Sequence, residues 1–275
     1  MSGILYVVGT PIGNLGDFSP RAVQVLSECD FIAAEDTRVT IKLLNHFGIK
    51  KPMVSYYEHN RAQRGGVIID RLLNGESCAL VSDAGMPIIS DPGEDLTRLC
   101  HENGIQVLAV PGPCAFVTAL AISGMPSGRF TFEGFLTVSK QNRKKHLEEL
   151  INEKRTMIFY EAPHKLAATL ADMAKYWGNR NIALVKEITK IHENVEHTTL
   201  FAASKKYQAV APKGEFVVIV EGKPQEEIAE ITLEDATAMA EELIKTGVSI
   251  NEASKEIAKK TGIKKSDIYK ALQNL

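Results

Sequence analysis

The sequence predicts an α/β fold with two α/β domains, a parallel N-terminal sheet and a mixed second sheet, a cleft between them, and a small C-terminal helical domain. Three observations carry this prediction. Short apolar segments alternate with helical segments up to residue 110, their spacing shortens after residue 123, and only helix-period segments follow residue 224. At 275 residues the chain is long enough for roughly two domains.

The N-terminal region has the alternation typical of a doubly wound parallel sheet, with short apolar strands bounded by Gly, Pro or polar residues. We expect strands at 4–8, 31–34, 53–56, 78–81 and 105–110. We expect helices at 20–27, 37–47, 60–73 and 93–103. Ser19 and Pro20 form a cap and first turn for the first helix, and glycines close the second and third.

The run Ser-Gly-Met-Pro-Ser-Gly-Arg at 123–129 interrupts this pattern and marks a domain junction. We expect strands after it at 130–135, 157–160, 182–186, 197–201 and 215–220. Only two clearly long helices, 140–152 and 164–177, separate these strands, so antiparallel hairpins in a mixed sheet fit better than a second parallel sheet. The predicted domains are therefore 1–122, 123–223 and a helical tail at 224–275.

The tail has helix-turn-helix dimensions. One amphipathic helix runs from Leu233 to Ile244, and two short helices flank Gly262, with Ser266 as the cap of the second. Residues 251–275 contain six Lys against three acids. A helical hairpin that only packs and a nucleic-acid contact through phosphates both fit, and the Lys excess slightly favours the contact.

Composition limits the classes of function. A net charge of −2 argues against a grip on nucleic acid by the whole protein, although a local basic patch remains compatible with it. The cysteines at 29, 78, 100 and 114 have no metal-type spacing, so we expect reduced, mostly buried thiols and no metal site. The N-terminus lacks a basic segment and no apolar run reaches the ~18 residues of a membrane span, which predicts a cytoplasmic protein.

Three predicted strands, 4–8, 78–81 and 105–110, end in turns rich in Gly and Pro: the first at residues 9–14, the second at 83–93 and the third at 111–115. Ligands of open α/β sheets sit beyond such strand ends. These turns lack both the dinucleotide fingerprint and the P-loop, so a nucleoside or an amino-acid nucleoside fits better than a pyrophosphate. In the second turn we expect Asp83 to brace the backbone. The candidate binding residues are Thr10, Pro11, Gly85, Met86, Pro87, Ile89, Pro111, Gly112, Cys114, Ala115 and, across the cleft, Tyr160.

Charged residues follow other strand ends and are candidates for chemistry. They are Glu35, Asp36, Glu161, Lys165, Lys186 and Glu187. Asp36 fits an N-cap of the next helix at least as well as a chemical role. The sequence has no Ser-His-Asp, zinc or paired-carboxylate hydrolase pattern.

Six segments in order, 5–17, 34–38, 81–93, 111–113, 132–136 and 160–165, resemble the ribosomal RNA small subunit methyltransferase I family, which belongs to the tetrapyrrole-methylase-like S-adenosylmethionine-dependent methyltransferases. Leu-Tyr-Val-Val-Gly-Thr-Pro-Ile-Gly-Asn-Leu-Gly-Asp and Val-Ser-Asp-Ala-Gly-Met-Pro-Ile-Ile-Ser-Asp-Pro-Gly are the most specific. The resemblance covers about residues 4–222, and the tail is similar to the helical domain of many members. Cys114 and Ala162 depart from it, since members commonly have Ser there.

The resemblance implies S-adenosyl-L-methionine in the cleft between the domains, a homodimer, and 2′-O-methylation of a cytidine ribose in 16S rRNA of the small ribosomal subunit. A ribose hydroxyl is a poor nucleophile, so a general base or a cation near the developing alkoxide should help. Our catalytic candidates are Glu35, Asp36, Lys165, Lys186 and Glu187.

Two other functions stay open. The first is a methylase of the same fold that acts on a tetrapyrrole or another small molecule. The second is a DNA-binding regulator that senses a ligand through its α/β part.

Overall fold

The computed structural model describes residues 2–224 and 231–274. Two compact units, residues 1–223 and residues 224–275, make up the chain, and residues 225–230 of the predicted tail lie outside the described residues. The larger unit contains two five-stranded sheets. Within the described ranges, no helix combines the length and the apolar character needed to cross a membrane.

The first sheet is parallel throughout, in the spatial order β3-β2-β4-β1-β5. Its strands are β1 (Ile4–Val8), β2 (Phe31–Ala34), β3 (Met53–Ser55), β4 (Cys78–Val81) and β5 (Gln106–Val110). The helices of this half are α1 (Pro20–Glu28), α2 (Thr37–His46), α3 (Arg61–Leu73), α4 (Glu94–Glu102) and α5 (Ala115–Ile122). Every residue of β2 and β4 is buried, as expected for central strands covered on both faces. The predicted parallel sheet is confirmed.

The second sheet is mixed, in the order β6-β7-β10-β8-β9. Its strands are β6 (Phe130–Phe135), β7 (Thr156–Glu161), β8 (Asn181–Lys186), β9 (Asn194–Thr199) and β10 (Phe216–Val220). The helices here are α6 (Lys140–Glu149), α7 (Pro163–Trp177) and α8 (Leu200–Ala209). The β6–β7 pair is parallel and the other three pairs are antiparallel, which confirms the predicted mixed sheet.

One predicted strand of this sheet is partly wrong. The strand expected at 197–201 lies at Asn194–Thr199, and α8 begins at Leu200. The Thr199 hydroxyl accepts a hydrogen bond from the Ala202 N–H and so caps α8, which places Leu200 and Phe201 in a helix. The second half therefore has a third long helix where the sequence predicts two.

Helix α5 connects the two sheets. It is absent from the sequence prediction because Ala-Phe-Val-Thr-Ala-Leu-Ala-Ile is apolar on most sides and has no helical period. Its residues Ala119 and Leu120 belong to a buried cluster with Ile158 and Val217 of the second sheet. The turn between β5 and α5 therefore passes from one sheet to the other. A domain boundary between residues 122 and 123 stays a prediction.

The smaller unit is a three-helix arrangement in its described part: α9 (Leu233–Lys245), α10 (Ile250–Thr261) and α11 (Lys265–Gln273). Small and β-branched side chains form its core, including Ala236, Ala240, Ala253, Ile257 and Ile268. Gly262 ends α10 in the left-handed conformation, as Gly commonly does. The predicted cap Ser266 is wrong, because the carbonyl of Lys264 already accepts the first helical bonds and Ser266 instead donates to Asp267.

Candidate active site

A pocket of about 480 Å³ lies in the larger unit and has the size of a small-molecule site. Its first wall comes from the turns that follow the strands of the first sheet and from the start of α5. This first wall consists of Ile12, Glu35, Asp83, Ala84, Gly85, Met86, Ile89, Ser90, Asp91, Cys114 and Ala115. The second wall comes from the second sheet and the turns beside it. This second wall consists of Phe135, Tyr160, Glu161, Ala162, Pro163, Ile188, Glu215, Phe216 and Val217.

The turns of the first wall are joined through their backbones. The Thr10 N–H donates to the Gly85 carbonyl at 2.9 Å, and the Gly85 N–H donates back to Thr10 at 3.1 Å. Gly9 and Gly112 approach so closely that a Cβ on Gly112 would lie 2.8 Å from Gly9 backbone atoms. Glycine is needed at both positions, because any side chain would separate the first and third turns. The three Gly/Pro turns thus form one continuous surface.

The second turn holds an unusual backbone conformation. Ile88 and Ser90 have positive φ angles of 79° and 66°, which residues other than glycine rarely adopt. Each such residue costs on the order of 1–3 kcal/mol, so the surrounding contacts must impose the conformation. Gly85 and Gly93 adopt positive φ without that cost. The turn therefore has a backbone shape that its surroundings impose.

Three carboxyl groups give the first wall a negative character. Glu35 accepts from the Asp83 N–H at 3.3 Å, and Asp83 accepts from the Asp36 N–H at 3.1 Å, so the β2 and β4 turns are linked through these side chains. Burial raises the pKa of Glu35 and of Asp83. Burial, together with the charge of Glu35, raises the pKa of Asp91 to about 6. Such a group of acids favours a ligand that carries positive charge.

Asp36 lies outside the pocket lining. It is the N-cap of α2, as the sequence allows, and accepts from the Arg38 N–H at 2.8 Å and from the Arg38 guanidinium at 2.6 Å. These bonds to Arg38 lower the pKa of Asp36 to about 2. Its carboxylate is thus committed to the start of the helix.

The second wall is aromatic where it meets the start of α5. The Tyr160 hydroxyl accepts from the Phe116 N–H at 3.2 Å, and burial raises the pKa of Tyr160 to about 12. Cys114 is the N-cap residue of α5 but makes no side-chain cap. The Tyr160 hydroxyl therefore replaces the missing cap, because it accepts from an N–H of the first helical turn that an N-cap side chain usually bonds. Burial raises the pKa of the free Cys114 thiol.

Glu161 is the most deeply buried acid of the pocket, with 4% of its surface exposed. Its carboxylate accepts from the Ala162 N–H at 2.9 Å and from the Thr169 hydroxyl. The Thr169 oxygen accepts from Arg143 at 2.9 Å, and Arg143 also bonds Asp172 at 2.7 Å. This chain of bonds fixes the turn between β7 and α7, which carries the Ala162 and Pro163 side of the second wall.

The other charged candidates are not among the residues that line the pocket. Glu187 accepts from the Glu215 N–H at 2.9 Å and from the Lys190 ammonium at 3.1 Å, and the Glu215 bond leads the causes that lower its pKa. Glu187 thereby holds the turn after β8. Lys165 lies in the first turn of α7 and Lys186 ends β8; neither is among the lining residues. Of the five predicted catalytic residues, Glu35 lines the pocket.

Among the predicted binding residues, those that line the pocket are Gly85, Met86, Ile89, Cys114, Ala115 and Tyr160. Thr10, Pro11, Pro87, Pro111 and Gly112 belong to the same turns but are not lining residues. The sequence prediction omits several lining residues, most notably Asp91, Phe135 and Glu215. Asp91 and Phe135 lie within the segments 81–93 and 132–136, which carry the family resemblance, but their residue types alone do not distinguish them from their neighbours.

Comparison with known proteins identifies related families. Residues 4–204 match the family model of tetrapyrrole (corrin/porphyrin) methylases. A protein of Synechocystis named ribosomal RNA small subunit methyltransferase I is 43% identical over 268 residues, which cover 97% of this chain and 96% of the relative. Proteins of the same name from Halalkalibacterium halodurans and Xylella fastidiosa are each 47% identical and cover 97% of this chain, and 93% and 98% of their own lengths.

Solved structures share the fold at low sequence identity. Uroporphyrin-III C-methyltransferase from Thermus thermophilus, in complex with S-adenosylhomocysteine, is 13% identical with a TM-score of 0.56, covering 80% of this chain and 97% of that one. A diphthine synthase is 14% identical with a TM-score of 0.60, covering 82% and 92%. These neighbours confirm an α/β methylase fold for the larger unit.

Proposed function

The chain belongs to the tetrapyrrole (corrin/porphyrin) methylase family and, within it, to the ribosomal RNA small subunit methyltransferase I family, and from this we propose that it is an S-adenosylmethionine-dependent enzyme that methylates the 2′-hydroxyl of a cytidine in 16S rRNA. The single observation that carries the proposal is the likeness to relatives of that name over 97% of the chain. This likeness extends beyond residue 204, where the match to the tetrapyrrole methylase model ends.

The pocket suits the proposed cofactor. S-adenosylmethionine supplies an electrophilic methyl group on a sulfonium centre. The carboxyl groups of Glu35, Asp83 and Asp91 favour positive charge, and the apolar Met86 and Ile89 offer contact area for a nucleoside. We propose that the backbone of residues 85–87 holds the methionine part, and that the turn before α5 closes the other side.

The acceptor hydroxyl needs alignment and a base. Alignment of two reactants is worth up to ~7–11 kcal/mol in well-oriented systems. A base works best when its pKa lies near the working pH. Glu35 and Asp91 lie in the pocket with raised pKa values, so we propose that this pair of carboxyl groups receives the proton from the ribose hydroxyl.

We also propose that the tail contacts the small subunit and that the protein is a cytoplasmic homodimer. The six lysines of α10, α11 and their connection are exposed, which supports a phosphate contact. Exposed apolar residues on α5 and near it, Val117, Ile122 and Phe130, support burial against a second copy.

A methyl-transfer assay with isotope-labelled S-adenosylmethionine tests the function. The substrates are isolated 30S subunits, a uroporphyrinogen-type tetrapyrrole, and duplex DNA as a binding control. We expect label in 16S rRNA at one cytidine whose 3′-phosphodiester resists alkaline cleavage, because a 2′-O-methyl group blocks that cleavage. Label on the tetrapyrrole, or tight sequence-specific duplex binding without methyl transfer, would support the two alternative functions instead.

A further inference from the structure

An exposed aromatic ring stands at the edge of the pocket. Phe135 ends β6, lines the pocket, and has 56% of its surface exposed. Its ring lies 5.4 Å from that of Tyr160, centroid to centroid, at an interplanar angle of 58°. A Phe side chain usually gains stability by burial, so a ring this open beside a pocket offers a contact surface to something that is not part of the chain.

A β-bulge directs this ring toward the pocket. In the β6–β7 pairing Phe132 lies opposite Ile158 and Phe135 opposite Tyr160, with one extra residue accommodated between Phe132 and Gly134. Without the bulge, residues three apart would face opposite sides of the sheet. With it, Phe132 and Phe135 share the face of Tyr160, and both rings contact that tyrosine. Bulges of this kind re-aim side chains next to active sites.

The bulge also packs against the first wall. Gly134 has a φ of 62°, and a Cβ built on it would lie 3.4 Å from the Ser90 hydroxyl oxygen. The edge of the second sheet therefore lies close to the turn that carries Asp91, and Gly134 directly precedes Phe135 there.

Basic residues follow the ring in sequence. Helix α6 begins five residues later and contains Lys140, Arg143, Lys144 and Lys145 before its first acid. The side chains of Lys144 and Lys145 are 61% and 77% exposed, and each reaches a glutamate only at 3.6 and 3.9 Å. These lysines belong to a helix that packs through Leu147 against the Phe159 face of the second sheet, whereas Phe135 lies on the Tyr160 face. The ring itself therefore carries the inference, because bases of single-stranded nucleic acid stack on exposed aromatic rings.

We propose that Phe135 is the stacking platform for the base of the target nucleotide, or the base next to it, in single-stranded RNA. The inference rests on the proposed function and adds the residue that orients the RNA. It assigns the cofactor to the first wall and the substrate base to the rim of the second wall.

Kinetics of three variants test the proposal with 30S subunits and S-adenosylmethionine as the probes. Phe135→Ala removes the ring, Phe135→Tyr keeps it, and Phe201→Ala is a matched control because Phe201 is 55% exposed but not a lining residue. Alanine substitution of a stacking residue costs about 5-fold to 150-fold in affinity. For Phe135→Ala we expect the KM for 30S subunits to rise by a factor in this range. For Phe135→Tyr and Phe201→Ala we expect a nearly unchanged KM. S-adenosylhomocysteine affinity, measured by calorimetry, should stay the same in all three.

Two results would overturn the stacking role. One is a Phe135→Ala variant with unchanged KM and kcat on 30S subunits. The other is an equal loss of S-adenosylhomocysteine affinity, which would place the ring in the cofactor site. No methyl transfer to 30S subunits by the unsubstituted protein would refute the proposed function itself, and the stacking role with it.

Discussion

The two walls of the pocket are built in different ways. The first wall consists largely of turns that follow parallel strands, with glycines and strained residues such as Ile88 and Ser90, and it carries Glu35, Asp83 and Asp91. The second wall presents side chains from the strands themselves, including Phe135, Tyr160 and Phe216. A backbone surface with acidic groups suits a compact ligand with positive charge, whereas an aromatic surface suits a flat base.

Both walls carry strained backbone and buried charge. Glu187 and Thr189, which flank Ile188 of the second wall, also have positive φ angles, and Glu161 of that wall is the most buried acid of the pocket. Left-handed conformations at Ile88 and Ser90 and a carboxyl group with a raised pKa at Asp91 all reduce stability. The core of the second sheet next to them is well packed, with Phe159 and Val218 fully buried. A stable scaffold thus supports a costly site, which is common for functional surfaces.

The largest expected effect is on the first wall. Glu35→Gln keeps an oxygen that can accept from the Asp83 N–H but removes the base. We expect kcat on 30S subunits to fall by about 10²-fold to 10⁴-fold, the usual contribution of a general base. S-adenosylhomocysteine affinity should change far less. Glu58→Gln, an exposed residue before α3, is the control. Equal kcat for Glu35→Gln and the unsubstituted protein would remove Glu35 from the mechanism.

A smaller effect is expected when the tail is removed. Both walls lie within the unit of residues 1–223, so termination after Pro224 should leave S-adenosylhomocysteine binding unchanged. We expect use of 30S subunits to drop about tenfold, and its salt dependence to weaken because fewer phosphates are neutralised. Lys264→Ala with Lys265→Ala in the full chain should give part of this loss. Full activity of the truncated protein would show that the tail only packs.

Neutralising Asp91 should stabilise the protein. Its pKa is raised from 3.8 to about 6 in the folded state, so the folded state binds more protons and stability falls as pH rises across that interval. Asp91→Asn should therefore raise the free energy of unfolding at pH 7.5 by about 1–2 kcal/mol, less than the full shift because solvent screens a partly exposed group. Urea denaturation at pH 7.5 and pH 4 measures this. An equal gain at both pH values would mean that charge is not the cause.

The smallest effect is expected for the hydroxyl group of Tyr160. Tyr160→Phe removes the hydroxyl that accepts from the Phe116 N–H, which costs about 1 kcal/mol of stability because that helix N–H loses its partner. The aromatic ring stays, so KM for 30S subunits should change by less than about threefold. Tyr57→Phe, an exposed tyrosine, is the control for the stability measurement. A large loss of kcat in Tyr160→Phe would instead assign the hydroxyl a chemical role.

The sequence predicts the first wall better than the second. Glycine and proline after an apolar strand indicate a turn at the edge of a sheet, and the turns at residues 9–13 and 111–115 adjoin as that pattern requires. Prediction of the second wall requires knowing which side of the sheet each residue of β6 faces. The bulge before Gly134 changes that side, and no clear sequence pattern indicates the bulge.

Charge at a strand end is a weaker indicator. Glu187 and Lys186 stand in such positions, yet neither lines the pocket. The Glu187 carboxylate instead accepts a hydrogen bond from Lys190 of the same turn. Helices α5 and α8 escape prediction because their apolar residues do not form one stripe along the helix.

A crystal structure with S-adenosylhomocysteine tests the division between the walls most directly. We expect ligand density on the first wall, between the turn at residues 85–87 and the turn at residues 111–115, with the Phe135 ring left open to solvent. Density stacked on Phe135, or bound away from both turns, would contradict it.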